Sequence, residues 1–314
     1  MNRGGMRMRW RPAWNHSGLV GIVPWLLLMC MASAMAQTVQ QGVALTGTVF
    51  TYTVSQGDSL TGIGARFGME PRLLARANGL SATAKLKPGR VLEVDNRHIV
   101  PGGLDDGILI NLPQRMLFRL VGGEVQSAYP IAAGKPTWPT PRGDFVVVTR
   151  ETDKTWFVPP SIQQEMALEG KEILQKVPPG PDNPLGRHWL GLSIPGIGIH
   201  GTIAPQSIYH LQSHGCIRLH PDDVAELFAA VQKDDPGRLI YQPVLLYQAP
   251  GGTIFLEVHR DVYKKGVEAH KMARELAESA GVSGLINWDT AASVIDAREG
   301  VARDVTLATD GEIP

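Results

Sequence analysis

Cysteine is scarce in this chain of 314 residues, which contains only Cys30 and Cys216. Cys30 lies in an apolar run near the N-terminus, so removal of that run as a leader would leave Cys216 alone. A mature chain with one cysteine cannot form an internal disulfide. The lone thiol then has three interpretations: a buried small hydrophobic side chain, a metal ligand or a nucleophile.

An excess of charge of either sign is also lacking, because 30 basic residues balance 30 acidic ones. The four arginines before the apolar run belong to the leader, so its removal leaves a small net negative charge. A chain with this balance has no basic face for phosphates, and nucleic acid is excluded as a partner. The length allows two modules.

The N-terminal run predicts export. Arginines precede the sequence LVGIVPWLLLMCMASAMA, which ends in Ala34-Met35-Ala36, a small-residue cleavage pattern. We therefore predict a cleaved signal peptide over 1–36 and a periplasmic protein. An uncleaved signal anchor is the alternative.

A small β-α-α-β unit is predicted next, within 50–95. Its first strand ends at Gly57-Asp58, and Asp58 or Ser59 caps a helix that ends at Gly68. Pro71 opens a second helix with Leu73, Leu74 and Ala77 facing inward, and a strand follows at Val91 to Val94.

The unit resembles a LysM domain through its GDSL, Asn78-Gly79 and LKPG segments. The resemblance implies that it binds the N-acetylglucosamine-containing glycan of peptidoglycan. A βααβ unit without a ligand is the alternative, because these landmarks are mainly turn and core residues.

From about Asp106 the pattern changes to short β segments joined by Gly and Pro turns. A hairpin is predicted with its turn at Val121-Gly122-Gly123-Glu124. The stretch from VPPSIQQEM to LGLSIPG reads as long irregular loops. These patterns predict a sheet or small barrel with few helices.

Two histidine segments, IHGT and SHGC, carry the chemical interest of this region. A cysteine attacks carbonyl groups as the thiolate, so Cys216 needs a base, and His200 and His214 are both candidates. Gly215 allows a sharp turn that presents successive N–H groups, as an oxyanion hole requires. Pro221 with Asp222 and Asp223 marks the start of a packed helix.

Two other interpretations of this region stay open at the level of residue chemistry. Cys216 is either an inert structural thiol or part of a zinc site. The zinc site would take its ligands from His200, His210, His214, His220 and Cys216, although their spacing matches no common zinc pattern.

The segment 106–245 resembles the L,D-transpeptidase catalytic domain of the YkuD type. IHGT followed by SHGCIRL carries the resemblance, with TPRGDF, GPDNPLG and PDDVAELF beside them. It implies a mainly β sandwich or barrel with a short helix after the cysteine motif, beside the βααβ LysM domain. It also implies that Cys216 is the nucleophile, that His200 is the general base and that the Gly201 carbonyl orients that base.

The resemblance implies supporting roles for the remaining motif residues. His214 holds the active turn or assists substrate contacts, and Ser213 caps or braces that turn. Arg218 either binds a stem-peptide carboxylate or pins the loop through carbonyl groups. The stretch QSIYHLQ departs from the family pattern, since it lacks a glycine and is short; Tyr209 and His210 are expected to fill it.

The implied reaction is acyl transfer on peptidoglycan tetrapeptide stems, with loss of D-alanine and without a cofactor or metal. The acceptor is a second stem, which gives a 3-3 cross-link, or a lysine of an outer-membrane lipoprotein, or water. An L,D-carboxypeptidase or other wall hydrolase and a non-catalytic peptidoglycan-binding protein are the alternatives.

The last segment, 246–314, belongs to neither motif. We expect GGTIFLEVHRDVYKKG to be a strand that extends the catalytic sheet, and Val267 to Ala280 to be a helix ending at Gly281. This tail would cover the active-site cleft or dock on a partner.

Overall fold

The computed structural model describes residues 41–308, so the predicted signal peptide lies outside the described residues. Within this range the helices are α1 (Leu60–Phe67), α2 (Pro71–Ala77), α3 (Pro160–Leu168), α4 (Pro221–Ala230), α5 (Ala269–Ser279) and α6 (Trp288–Ala297). None of these helices is long and apolar enough to span a bilayer.

The strands over the same residues are β1 (Gly42–Thr46), β2 (Val49–Thr53), β3 (Val91–Asp95), β4 (His98–Pro101), β5 (Gly107–Asn111), β6 (Met116–Val121), β7 (Glu124–Gly134), β8 (Gly143–Thr152), β9 (Trp156–Phe157), β10 (Lys176–Val177), β11 (His188–Leu192), β12 (Gly198–His200), β13 (Leu211–Ser213), β14 (Ile217–Leu219), β15 (Pro236–Ile240), β16 (Val244–Gln248), β17 (Ile254–Val258) and β18 (Arg303–Asp304).

The LysM-like unit has the order β2-α1-α2-β3, with β2 and β3 paired antiparallel. Ser59 caps α1, because its hydroxyl accepts a hydrogen bond from the Gly62 N–H at 3.0 Å. Gly68 ends the helix in the left-handed region with φ 72°. On α2 the buried alanine is Ala75, and the prediction of Ala77 was wrong, because Ala77 lies two residues further along, about 200° around the helix.

The catalytic segment is mainly β, as predicted, and its main sheet closes on itself. Strands run in the order β7-β14-β12-β11-β8-β15-β5-β6, and β6 pairs again with β7, while β13 adds to the far end of β7. Closure is possible because β7 is eleven residues long and pairs with different strands along its two halves. The predicted hairpin turn lies at Gly122 and Gly123, both with positive φ.

Helix α3 interrupts the stretch that the sequence pattern marked as irregular loop. None of its residues is buried, so it lacks the apolar stripe that reveals a helix in a sequence. The segment around it is closed at its base by Asn183, whose side-chain amide donates to the carbonyls of Lys154, Val177 and Pro178.

The C-terminal segment folds as a unit with its own core. Strand β17 pairs with β16 and β18 in a separate three-stranded sheet, so the expectation that it extends the catalytic sheet was wrong. Helices α5 and α6 cover this sheet with Leu276 and Ile295, which are almost fully buried. The period-2 pattern of a strand identifies the strand but does not say which sheet it joins.

The LysM-like unit packs on the loop that joins β12 to β13. Ala65 of α1 forms a buried cluster with Ile208 of that loop and Ala132 of β7. Arg115 then links the two units, since its guanidinium donates to Glu70 at 2.8 Å and to the Tyr209 carbonyl at 2.9 Å. Tyr209 fills the loop, as predicted, with only 2% of its surface exposed.

A buried carboxylate joins three parts of the chain. Oε1 of Glu257 on β17 lies 2.8 Å from His98 Nδ1 and 2.7 Å from His259 Nε2, and it accepts a further bond from Gln114. His98 Nε2 donates to the Gly68 carbonyl at the end of α1. Burial alone would raise the pKa of Glu257, but the two imidazoles lower it to about 2. The carboxylate is therefore ionised and fully partnered.

Glu257→Ala is expected to lower the free energy of unfolding by about 3–5 kcal/mol, because it leaves buried donors and a buried imidazole without their partner. Urea unfolding of the full chain measures the loss. Glu93→Ala, an exposed position on β3, serves as the control and should change stability by less than about 0.5 kcal/mol. Equal effects of the two substitutions would contradict the structural role of Glu257.

Candidate active site

The pairing of two short strands brings the motif residues together. β12 and β14 are parallel, with Ile199 opposite Ile217 and His200 opposite Arg218. Paired residues project to the same side of a sheet and successive residues to opposite sides, so the two isoleucines enter the core while His200 and Arg218 share the other face. Cys216, two residues before Arg218, extends that face.

His200 is buried, with 3% of its surface exposed, and its orientation is fixed on two sides. Its Nδ1 lies 2.7 Å from the Gly201 carbonyl, which can only accept, so Nδ1 carries the proton and Nε2 is left with a lone pair. The Trp189 ring stacks on the imidazole at 5.7 Å. Gly198 makes room for this ring, since a Cβ there would lie 2.4 Å from it.

The charge state of His200 suits a base. Burial, helped by the nearby Arg218 guanidinium, lowers the pKa of His200 to about 3 against the opposing effects of the Gly201 and Leu185 backbones. The imidazole is therefore neutral at neutral pH and can take up a proton. Burial raises the pKa of Cys216, partly offset by a backbone hydrogen bond at Gly198 and by Arg218. The resting pair is thus a neutral thiol and a neutral imidazole.

The turn that presents Cys216 is held by Ser213. The Ser213 hydroxyl accepts from the Gly215 N–H at 3.2 Å and donates to the Cys216 carbonyl at 2.5 Å. Gly215 has φ 108°, a conformation open to glycine and strained for other residues. The Gly215 N–H is therefore engaged inside the turn, which differs from the expectation that it serves an oxyanion hole. Among the hydrogen bonds of residues 41–308, none uses the Cys216 N–H.

Arg218 extends its guanidinium to the same face. Its Nε is buried and has no hydrogen-bond partner among the described residues. A buried polar atom of a charged group costs free energy unless a partner or ligand compensates it. The sequence allowed Arg218 to pin the loop through hydrogen bonds to carbonyl groups. Its Nε makes no such bond within residues 41–308.

Comparison with known proteins gives the family of the chain. The family model of the L,D-transpeptidase catalytic domain, YkuD, matches residues 105–244, and the LysM domain model matches residues 52–95. The protein named "Probable L,D-transpeptidase ErfK/SrfK" of Salmonella typhimurium is 32% identical over 73% of this chain and 75% of its own length. "Probable L,D-transpeptidase YbiS" of Escherichia coli K12 is 30% identical over 69% of this chain and 72% of its own length.

The chain belongs to the L,D-transpeptidase family. Both resemblances drawn from the sequence, to the transpeptidase catalytic domain and to LysM, are confirmed.

Glu165, which contacts the SHGC segment, is a residue that the sequence patterns do not predict. Glu165 on α3 accepts from His214 Nε2 at 2.8 Å and pairs with Lys135, which lowers the pKa of the Glu165 carboxyl. The Trp138 ring lies 5.5 Å from the His214 ring on another side. Glu165 is 49 residues from its histidine in the sequence, and no local pattern marks it. Its contact joins the segment around α3 to the turn that presents Cys216.

The proposed zinc ligands do not converge in the described residues. Within 41–308, the cluster with metal-binding atoms in reach of one another is His98, Glu257 and His259, away from the transpeptidase motif. Its two imidazole nitrogens lie 2.7 and 2.8 Å from one carboxylate oxygen. Ligands of a tetrahedral zinc ion lie more than about 3 Å apart, so these are the distances of hydrogen bonds. His220 caps α4 by accepting from the Asp222 N–H.

Arg218→Gln should move the midpoint of Cys216 alkylation to higher pH, because the positive charge that favours the thiolate is lost. The rate of reaction with iodoacetamide, followed by mass from pH 6 to 11, measures the midpoint. Arg187→Gln, at an exposed arginine, is the control and should leave the midpoint unchanged. An unchanged or lower midpoint in Arg218→Gln would contradict the described charge environment.

Proposed function

We propose that this enzyme is an exported cysteine L,D-transpeptidase that acts on the tetrapeptide stems of peptidoglycan through a thioester on Cys216. The single observation that carries the proposal is the shared sheet face of His200, Cys216 and Arg218 in a chain of this family. It supplies a base, a nucleophile and a cation for an anionic substrate at one place.

Acylation uses the neutral pair of thiol and imidazole. Nε2 of His200 takes the proton of Cys216 as the sulfur attacks the carbonyl carbon of the third stem residue, a diaminopimelate-type amino acid. The C–S bond forms, the C–N bond to the terminal D-alanine breaks, and His200 returns the proton to the departing amine. The Gly201 carbonyl keeps Nδ1 protonated throughout, and its bond strengthens when the ring becomes an imidazolium.

The negative charge that develops on the attacked carbonyl oxygen is stabilised by hydrogen-bond donors. The Cys216 N–H is assigned this role, because Ser213 already engages the Gly215 N–H. Gly215 contributes through its backbone conformation instead. Arg218 is assigned to a stem-peptide carboxylate, which would satisfy its unpartnered Nε and form a charge-assisted bond.

An amine then attacks the thioester and releases Cys216. If the amine belongs to a second stem, the product is a 3-3 cross-link; if it is a lysine of an outer-membrane lipoprotein, the wall is attached to that membrane. Attack by water makes the enzyme an L,D-carboxypeptidase. His214 and Ser213 hold the turn during both steps.

The LysM unit is assigned to glycan binding, and the leader at 1–36 to export into the periplasm. The loops around Gly57 and around Gly89 lie at one end of the β2–β3 pair and are exposed. The unit packs on the catalytic segment through Ala65 and Glu70. A glycan strand bound at the exposed loops therefore lies at a fixed position relative to Cys216.

The reaction is tested by incubating the mature protein with disaccharide-tetrapeptide stems and measuring the masses of the products by mass spectrometry. Cross-linked dimers that have lost D-alanine are expected from the wild type and none from Cys216→Ala. Tripeptides alone would indicate hydrolysis or a missing protein acceptor. Unchanged substrate, or equal products from Cys216→Ala, would contradict thioester catalysis. A chelator should have no effect, whereas it would inhibit a zinc-dependent hydrolase.

Binding is predicted to survive the loss of catalysis. Cys216→Ala should co-sediment with insoluble peptidoglycan as the wild type does, because the LysM unit does not contain Cys216. The bound fraction is measured against protein concentration with both proteins. Loss of sedimentation in Cys216→Ala would mean that the wall is held through the catalytic thiol rather than through the LysM unit.

A further inference from the structure

A tyrosine from beyond the matched catalytic domain lies beside the catalytic turn. Tyr263 follows β17, and its hydroxyl donates to the Gly134 carbonyl at 2.8 Å and accepts from the Thr140 N–H at 3.3 Å. The residues matched by the catalytic family model end at 244. Tyr263 nevertheless packs against the core of the barrel rather than against that of the C-terminal unit.

Tyr263 holds a threonine that touches the nucleophile's own peptide group. The Thr140 hydroxyl accepts from the Gly134 N–H at 2.9 Å and donates to the Gly215 carbonyl at 2.8 Å. Thr140 is 3% exposed, and a Cβ at Gly134 would lie 2.2 Å from the Trp138 carbonyl, so these backbones are in close contact. A small shift of Thr140 would therefore be transmitted to Gly215.

The Gly215 carbonyl belongs to the same planar peptide unit as the Cys216 N–H. In a trans peptide the C=O and N–H bonds point in opposite directions, so fixing one fixes the other. The bond from Thr140 thus sets the direction of the N–H to which the developing oxyanion is assigned. We propose that Tyr263, acting through Thr140, is a positioning residue for the oxyanion-binding N–H of Cys216. The inference rests on the proposed function.

Tyr263 is itself held rigidly. Its ring stacks on that of Tyr241 at 5.6 Å, and its N–H donates to the Tyr241 hydroxyl at 2.9 Å. Asp261 accepts from Tyr241 and from the backbone N–H groups of Lys265, Gly266 and Val267, which closes the turn that carries Tyr263. The C-terminal segment therefore contributes to the active site through a defined chain of hydrogen bonds.

Two reactions of the Cys216 thiol distinguish a positioning role of Tyr263 from a general effect on the structure. In acetylation by p-nitrophenyl acetate, His200 takes the thiol proton, sulfur attacks the ester carbon, and p-nitrophenolate leaves after a tetrahedral oxyanion. In alkylation by iodoacetamide, sulfur displaces iodide at a saturated carbon, and no oxyanion forms. A residue that orients the oxyanion donor should affect the first reaction alone.

Tyr263→Phe in the full chain removes the hydroxyl and keeps the stacked ring. We expect acetylation of Cys216 to slow about tenfold, less than the roughly 10²–10³-fold loss on deleting an oxyanion donor itself. The alkylation rate should stay within twofold of the wild type. Tyr247→Phe, on β16 and outside this chain of hydrogen bonds, is the matched control and should leave both rates unchanged.

Thr140→Val and Thr140→Ser provide a second test. Valine keeps the shape and loses the hydroxyl, so acetylation should slow as in Tyr263→Phe, whereas serine retains the bond and should acetylate at close to the wild-type rate. Wild-type acetylation in Tyr263→Phe, or an equal fall in acetylation and alkylation, would overturn the inference. Because p-nitrophenyl acetate carries no stem peptide, failure of the proposed stem reaction is observed separately in the product analysis.

Discussion

The active site depends on the parallel pairing of β12 with β14. These strands are three residues long, yet their register decides which side chains share a face. A shift of one residue in β14 would turn Arg218 into the core in place of Ile217, and the same shift in β12 would put His200 in place of Ile199. The buried isoleucines oppose such a shift, because it would replace an apolar core side chain by a polar or charged one. Core packing therefore maintains the alignment of the candidate catalytic residues.

Three parts of the chain outside the paired strands support this alignment. Arg115 and Glu70 connect the LysM unit to the loop before the cysteine turn, and Glu165 connects α3 to His214 on that turn. Thr140 and Tyr263 connect the C-terminal segment to the Gly215 carbonyl. The LysM and C-terminal units thus both contact the catalytic segment. The buried Glu257 carboxylate connects all three through His98 and Gln114.

The sequence predicts the elements whose signals are local. Turn and capping residues identified the βααβ unit, and the histidine and cysteine segments located the candidate site. Contacts between distant segments leave no such signal: the buried Glu257 network and the contact of Glu165 with His214 join residues 159 and 49 positions apart. Helix α3 was missed because it buries no side chain, and β17 was placed in the wrong sheet because alternation does not identify a strand's partner.

The central claim is that Cys216 carries the acyl group, and intact-protein mass spectrometry of a single turnover tests it most directly. The wild type is mixed with a disaccharide-tetrapeptide stem whose diaminopimelate side-chain amine is acetylated, so that it cannot act as an acceptor, and is then quenched in acid; one portion is kept intact and another is digested. The account predicts that the protein gains the mass of the stem without its terminal D-alanine, on the peptide containing Cys216 and removable by hydroxylamine. The same adduct on another residue, or in Cys216→Ala, would contradict the account.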